Sequence, residues 1–147
     1  MNFPILSSLI LLPIIGSLFL LFSKDKNSNT GKYVALFTSF VNFLISLYLW
    51  YQFDSTTSNF QFVEDREWLK GFINYKVGID GISILFIVLT SLITPLCIIS
   101  VNNTIKDRLR DFLIAILVME SLMIGVFCSL DLVIFYLFFE AGLIPMF

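Results

Sequence analysis

Residues 112–147 read FLIAILVMESLMIGVFCSLDLVIFYLFFEAGLIPMF, an apolar run broken by the acids Glu120, Asp131 and Glu140 and by no cation. Its first half, from about Phe112 to Ser129, is long enough for one helical crossing of a bilayer core about 30 Å thick. Its second half, from about Leu132, restarts after Asp131 and is still apolar at Phe147. Lipid leaves backbone amides no partner but the helix itself, so both halves are read as helices.

Three more stretches meet the same requirement: about Phe3 to Phe22, Tyr33 to Phe53, and Ile82 to Val101. The chain is 58% hydrophobic and 14% charged, with a mean hydropathy of +0.93. A soluble domain carries about 25% charged residues. The fold class is therefore an all-α polytopic membrane protein with four full transmembrane helices and the start of a fifth. The first charge, Lys24, follows the first span, so Met1 to Phe22 lacks the basic start of a signal peptide and reads as a retained helix. The last run, at 1.5 Å per residue, is shorter than the hydrocarbon core. A chain ending inside a span is expected to be a fragment, or one piece of a subunit completed by a second polypeptide.

Lys24, Lys26 and Lys32 flank the first loop, and Lys106, Arg108 and Arg110 fill the loop between spans three and four. The bias of lysine and arginine toward the inner side places these loops in the cytoplasm or matrix and the N-terminus outside. The polar segment from about Asp54 to Gly81 then lies on the outer side as well. Its basic residues Arg66, Lys70 and Lys76 are diluted by Asp54, Glu64, Asp65 and Glu67, and its Phe60, Phe62, Trp68, Phe72 and Tyr75 suit a headgroup belt. Asn59 to Val63 alternates as a short strand would, but the stretch is too brief to separate from an interfacial loop, which is the reading preferred.

The chain has no histidine, and no GxGxxG or P-loop pattern. Cys97 and Cys128 match no metal or redox spacing and read as packing residues. Nothing here is expected to hold a flavin, haem, iron-sulfur cluster, nicotinamide or metal, and no basic patch supports nucleic-acid binding. Partners are lipid and other membrane chains.

An ionisable side chain within a span is costly, about 2.5 to 3.5 kcal/mol for a central charge, and is a functional candidate by default. Glu140 lies among phenylalanines in the fifth span and is read as the buried, proton-carrying acid. Pro145 removes the hydrogen bond to the carbonyl of Ala141, beside Glu140, and opens a place for water. The bland alternative is a kinked span with an acid bonded to a neighbouring helix. Glu120, in the fourth span beside the small residues Ser121, Gly125 and Ser129, faces protein and serves either as a proton relay or as a structural acceptor. Ser39, Asn42 and Ser46 share one face of the second span and suggest an interhelical hydrogen-bonding stripe. Asp80 and Asp131 read as helix N-caps.

Three segments carry a resemblance: Gly78-Ile79-Asp80-Gly81-Ile82-Ser83, Phe127-Cys128-Ser129-Leu130-Asp131-Leu132 and Phe138-Phe139-Glu140-Ala141-Gly142-Leu143-Ile144-Pro145-Met146. Together they resemble subunit 4, the M-type antiporter-like subunit of proton-pumping NADH:quinone oxidoreductase, respiratory complex I. Tyr51 to Asp54, Phe60 to Glu64 and Trp68-Leu69 resemble bacterial, plant and protist versions. The resemblance implies an antiporter-like bundle fragment in which Glu140 works with a lysine on a later helix. It implies that NADH, FMN, iron-sulfur clusters and quinone are held by other subunits, and that the partners are membrane-arm subunits, neighbouring antiporter-like ones included. The expected setting is the mitochondrial or bacterial inner membrane. The alternatives are a subunit of a multi-subunit sodium/proton antiporter and a purely structural membrane module.

Overall fold

The computed structural model describes residues 4–23, 29–69, 71, 73–101, 105 and 107–147. Phe3, Lys24, Lys26, Lys70, Phe72, Lys106 and the Trp68 side chain, all used in the sequence reading, lie outside the described residues. The elements run α1 (Ile5–Phe22), α2 (Asn29–Gln52), β1 (Gln61–Leu69), β2 (Ile73–Ile79), α3 (Gly81–Ser100), α4 (Leu109–Cys128) and α5 (Leu132–Met146). Four of these helices are long and apolar enough to cross a membrane, and α5 is a shorter apolar helix. The polytopic helical fold expected from hydropathy is the one observed. Helices α2 and α4 begin three or four residues before the apolar runs do, because polar first turns such as Asn29 to Lys32 can stand at the membrane edge.

The bundle is organised around α4, which packs on α1, α2, α3, α5 and β2. Its interior holds two apolar clusters. One contains Leu6, Leu9, Leu49, Ile84, Ile87 and Ile124, the other Leu20, Ala35, Ile98, Leu113 and Leu117. On four helices a buried polar residue falls in sequence between the clusters: Ser17 on α1, Asn42 on α2, Ser91 on α3 and Glu120 on α4. The outer surface is apolar too, with Phe19, Phe37, Leu85 and Phe139 all exposed. Such a surface is unsuited to water and suited to lipid.

The segment between α2 and α3, expected as an interfacial loop or one short strand, is an antiparallel hairpin in which Glu64 faces Val77 and Arg66 faces Tyr75. The hairpin forms because it completes helix ends. Pro4 at the start of α1 provides no side-chain cap. In its place the Glu64 carboxylate accepts from the backbone N–H of Leu6 at 2.9 Å and of Ser7 at 3.3 Å, and from the Ser7 hydroxyl. An acid at a helix N-terminus also meets the positive end of the helix dipole. On the other strand, Lys76 accepts from the Leu130 N–H at 3.0 Å and Val77 bridges Ser129, closing the hairpin over the α4–α5 turn. Tyr75, whose hydroxyl lies 3.1 Å from Ser7 Oγ, has its phenol pushed above its ordinary value mainly by burial.

At the opposite end of the bundle, Arg110 of α4 donates to the Ser23 carbonyl, the C-cap of α1, at 3.1 Å. Asp80 caps α3 through the N–H groups of Ser83 at 2.7 Å and Ile82 at 3.1 Å. Asp131 caps α5 through Val133 at 2.8 Å and Ile134 at 3.3 Å. Both caps are as the sequence suggested.

Candidate functional site

Glu120 sits near the centre of α4 and is 2% exposed. Its Oε1 accepts from Nδ2 of Asn42 on α2 at 2.9 Å, and Asn42 is fully buried. Oε2 of Glu120 and Oδ1 of Asn42 have no hydrogen-bond partner among the described residues. Next to Glu120, the Ser121 hydroxyl crosses to α1 and donates to the Ile10 carbonyl at 2.5 Å. On the other side, Ser46 of α2 and Ser91 of α3 share a hydroxyl–hydroxyl bond of 2.7 Å. Four helices are thus stitched together at mid-depth by side chains buried from both lipid and water.

Of the expected stripe on α2, Asn42 and Ser46 bond across to other helices. Ser39, although fully buried, bonds the Leu36 carbonyl of its own helix. Sequence reading missed Ser91. Its signal was Pro95, four residues on and inside α3, which removes the helix bond to the Ser91 carbonyl and loosens the backbone at that point. Pro13 inside α1 does the same for Leu9, beside the Ile10 carbonyl that Ser121 reaches. The small-residue face beside Glu120 also serves packing: a Cβ on Gly125 would lie 2.7 Å from the Phe138 ring of α5.

Glu140 is in a different situation, since the burial expected of it is not supplied by the described residues. Within this chain it is exposed, and Ile134 is the only residue of α5 that is buried among those described. The reason is angular. Successive helical residues turn by about 100°, so Glu140 points about 200° away from Phe138, the residue that packs on α4. Phe138 thus faces the bundle while Glu140 faces away from it. Tyr136, one turn earlier, interacts with the Glu140 side chain. The exposed face also carries Leu137, Ile144 and Met146. Helix α5 continues through Ala141 and Pro145 to Met146. No hydrogen bond or ion pair among the described residues joins Glu140 to Glu120, so the two candidate acids occupy separate environments. Cys128 is buried and Cys97 half-buried, neither in a disulfide, and no three Cys, Asp or Glu side chains among the described residues converge as a metal site.

No family model matches the chain. Curated proteins do, along nearly all of it. The chain is 46% identical over 143 residues, 97% of its length, to the NADH-ubiquinone oxidoreductase chain 4 of Marchantia polymorpha. It is 54% identical over 123 residues, 84% of its length, to the NADH-quinone oxidoreductase subunit M of Rhodobacter capsulatus. By sequence, these residues belong to the chain 4/subunit M family. The match to subunit M of Rickettsia prowazekii is 43% over 151 aligned positions and takes in the whole chain. The chain spans 29%, 23% and 31% of the lengths of these three family members, so it corresponds to a part of them.

Proposed function

We propose that this chain works as part of a proton-translocating membrane-arm subunit of an NADH:quinone oxidoreductase, with Glu140 as the acid that takes up and releases the proton. The observation that carries the reading is the similarity to chain 4 and subunit M proteins along nearly the whole chain. The site adds support, because an acid on a helix face that is apolar apart from Tyr136 calls for a further partner. Further helices, on the same chain or on a second one, would cover the α5 face and present a cation. That cation would hold the Glu140 carboxylate ionised, and its withdrawal would let the acid take up a proton.

Electron transfer belongs to other chains in this reading, and this chain contributes no redox group. Its partners are the remaining membrane-arm subunits. The host membrane is the mitochondrial or bacterial inner membrane. Lys32, Arg108 and Arg110 mark the inner end of the bundle, and the hairpin and the start of α1 mark the outer end.

The test is assembly. Native membranes are solubilised gently, complexes are separated by size and stained for NADH oxidation, and the chain is identified by mass spectrometry. Co-migration with the NADH-oxidising band is expected. Recovery only in a smaller assembly without NADH oxidation overturns the proposal.

A further inference from the structure

We propose that Glu120 carries a proton as part of its resting structure and closes a two-bond ring with the Asn42 carboxamide, so that a neutral acid–amide pair joins α2 to α4. One bond of the ring is present, from Asn42 Nδ2 to Glu120 Oε1 at 2.9 Å. The decisive atoms are the other two. Glu120 Oε2 and Asn42 Oδ1 are both buried and both lack a partner among the described residues. In a carboxylate both atoms are acceptors, and neither can satisfy the other. A proton on Oε2 turns it into a donor that Oδ1, the unpartnered atom on the other side of the same contact, can accept, and one proton satisfies both atoms. Carboxyl and carboxamide groups present matching planar edges, which is what such a ring requires. Turning the amide over still sets one oxygen against another and calls for the same proton.

The cations on the elements packed against α4 are badly placed to do this work instead. Lys32 on α2 precedes Asn42 by ten residues and Arg110 precedes Glu120 by ten, about 15 Å along each helix axis. Lys76, on β2 at the hairpin end, is paired with Asp65 at 3.8 Å. The apolar clusters lie to either side of the pair along the helices, where an ionised carboxylate with a single hydrogen bond would be strongly disfavoured. Glu120 is accordingly a positioning residue. It fixes the α2–α4 contact, and its proton leaves only if that contact opens. The inference stands apart from the function proposed above, because it concerns a contact within this chain in whatever assembly holds it.

The test places variants in the full protein in its native membranes and reads the amount of the chain held in its assembly. Glutamine reproduces the protonated acid, with an N–H for the O–H, so Glu120→Gln is expected to assemble at close to the unmodified level. Glu120→Leu and Asn42→Leu each strand one buried polar group and are expected to lower the assembled chain about ten-fold or more. Rescue by glutamine where leucine fails supports the ring. A fall in Glu120→Gln as deep as in Glu120→Leu shows that the charge is needed, and overturns it. Leucine variants that assemble normally also overturn it, since the pair would then contribute nothing. Infrared difference spectra of the unmodified and Glu120→Gln assemblies give an independent reading: a protonated-carboxyl carbonyl band lost in the variant is expected, and its absence overturns the proposal.

Discussion

Glu120 and Glu140 stand twenty positions apart on adjacent helices, each within an apolar run, yet the interior of the α1–α4 bundle and the outer face of α5 treat them in opposite ways. Glu120 is enclosed, bonded to Asn42, and flanked by the Ser121–Ile10 and Ser46–Ser91 contacts. Glu140 projects from a helix that packs on α4 and β2 and leaves its apolar side uncovered by the described residues. The difference separates two uses of an intramembrane acid. One fixes helices against each other through a partner already in place. The other exposes a group that meets Tyr136 of its own helix and that, in the function proposed above, takes a changeable partner from elsewhere.

The strongest challenge to this contrast is Glu140→Gln. Removing the titratable group is expected to lower proton transport into membrane vesicles by about 100-fold or more, the scale of a lost acid–base group, while the amount of assembled chain stays unchanged. Undiminished transport would place Glu140 with the structural acids. The next effect is smaller and tests the enclosed region. Glu64→Ala removes the acceptor of three donors at the start of α1 and is expected to cost about 2 kcal/mol, read as earlier proteolysis of the hairpin and the end of α1. Between the two regions lies Gly125. Gly125→Ala would press a methyl group against the Phe138 ring, costing about 1.5 kcal/mol and freeing α5 before the bundle melts, as seen by hydrogen exchange.

The smallest effect is at Asp80. The Ser83 backbone N–H, with smaller contributions from the Ser83 side chain and the Ile82 N–H, holds its carboxyl below the ordinary value of 3.8. A depressed value in the folded state stabilises the protein above the unfolded-state value and is lost as pH falls through the folded one. Asp80→Ala is therefore expected to cost about 1 kcal/mol near neutrality. The gap between unmodified and variant melting temperatures should close in acid below about pH 3.8.

The helices were legible in the sequence because lipid enforces one solution on any long apolar stretch. Asp80 and Asp131 were legible as caps because capping is local. The hairpin was not, since Glu64-Asp65-Arg66-Glu67 has none of the β-branched residues that favour strands. Its stability comes from Leu6, Ser7 and Leu130, far away in the chain. At the candidate site, Asn42 and Glu120 were each recognisable as interhelical polar residues, but their pairing spans 78 positions and no pattern along one helix announces it. The surroundings of Glu140 were not legible, because adjacent residues on a helix face different directions and the described residues leave its side of α5 uncovered.

The Glu64–α1 contact also constrains biogenesis. A chain made from its N-terminus presents α1 to the membrane 57 residues before the carboxylate that will cap Ser7 has been synthesised. The first helix enters the bilayer with the N–H groups of Leu6 and Ser7 served by water or headgroups. It exchanges them for Glu64 only after α2 has crossed back. The first turn of α1 is therefore completed only after α2 has been made, and the hairpin acts as the latch that records the return of α2.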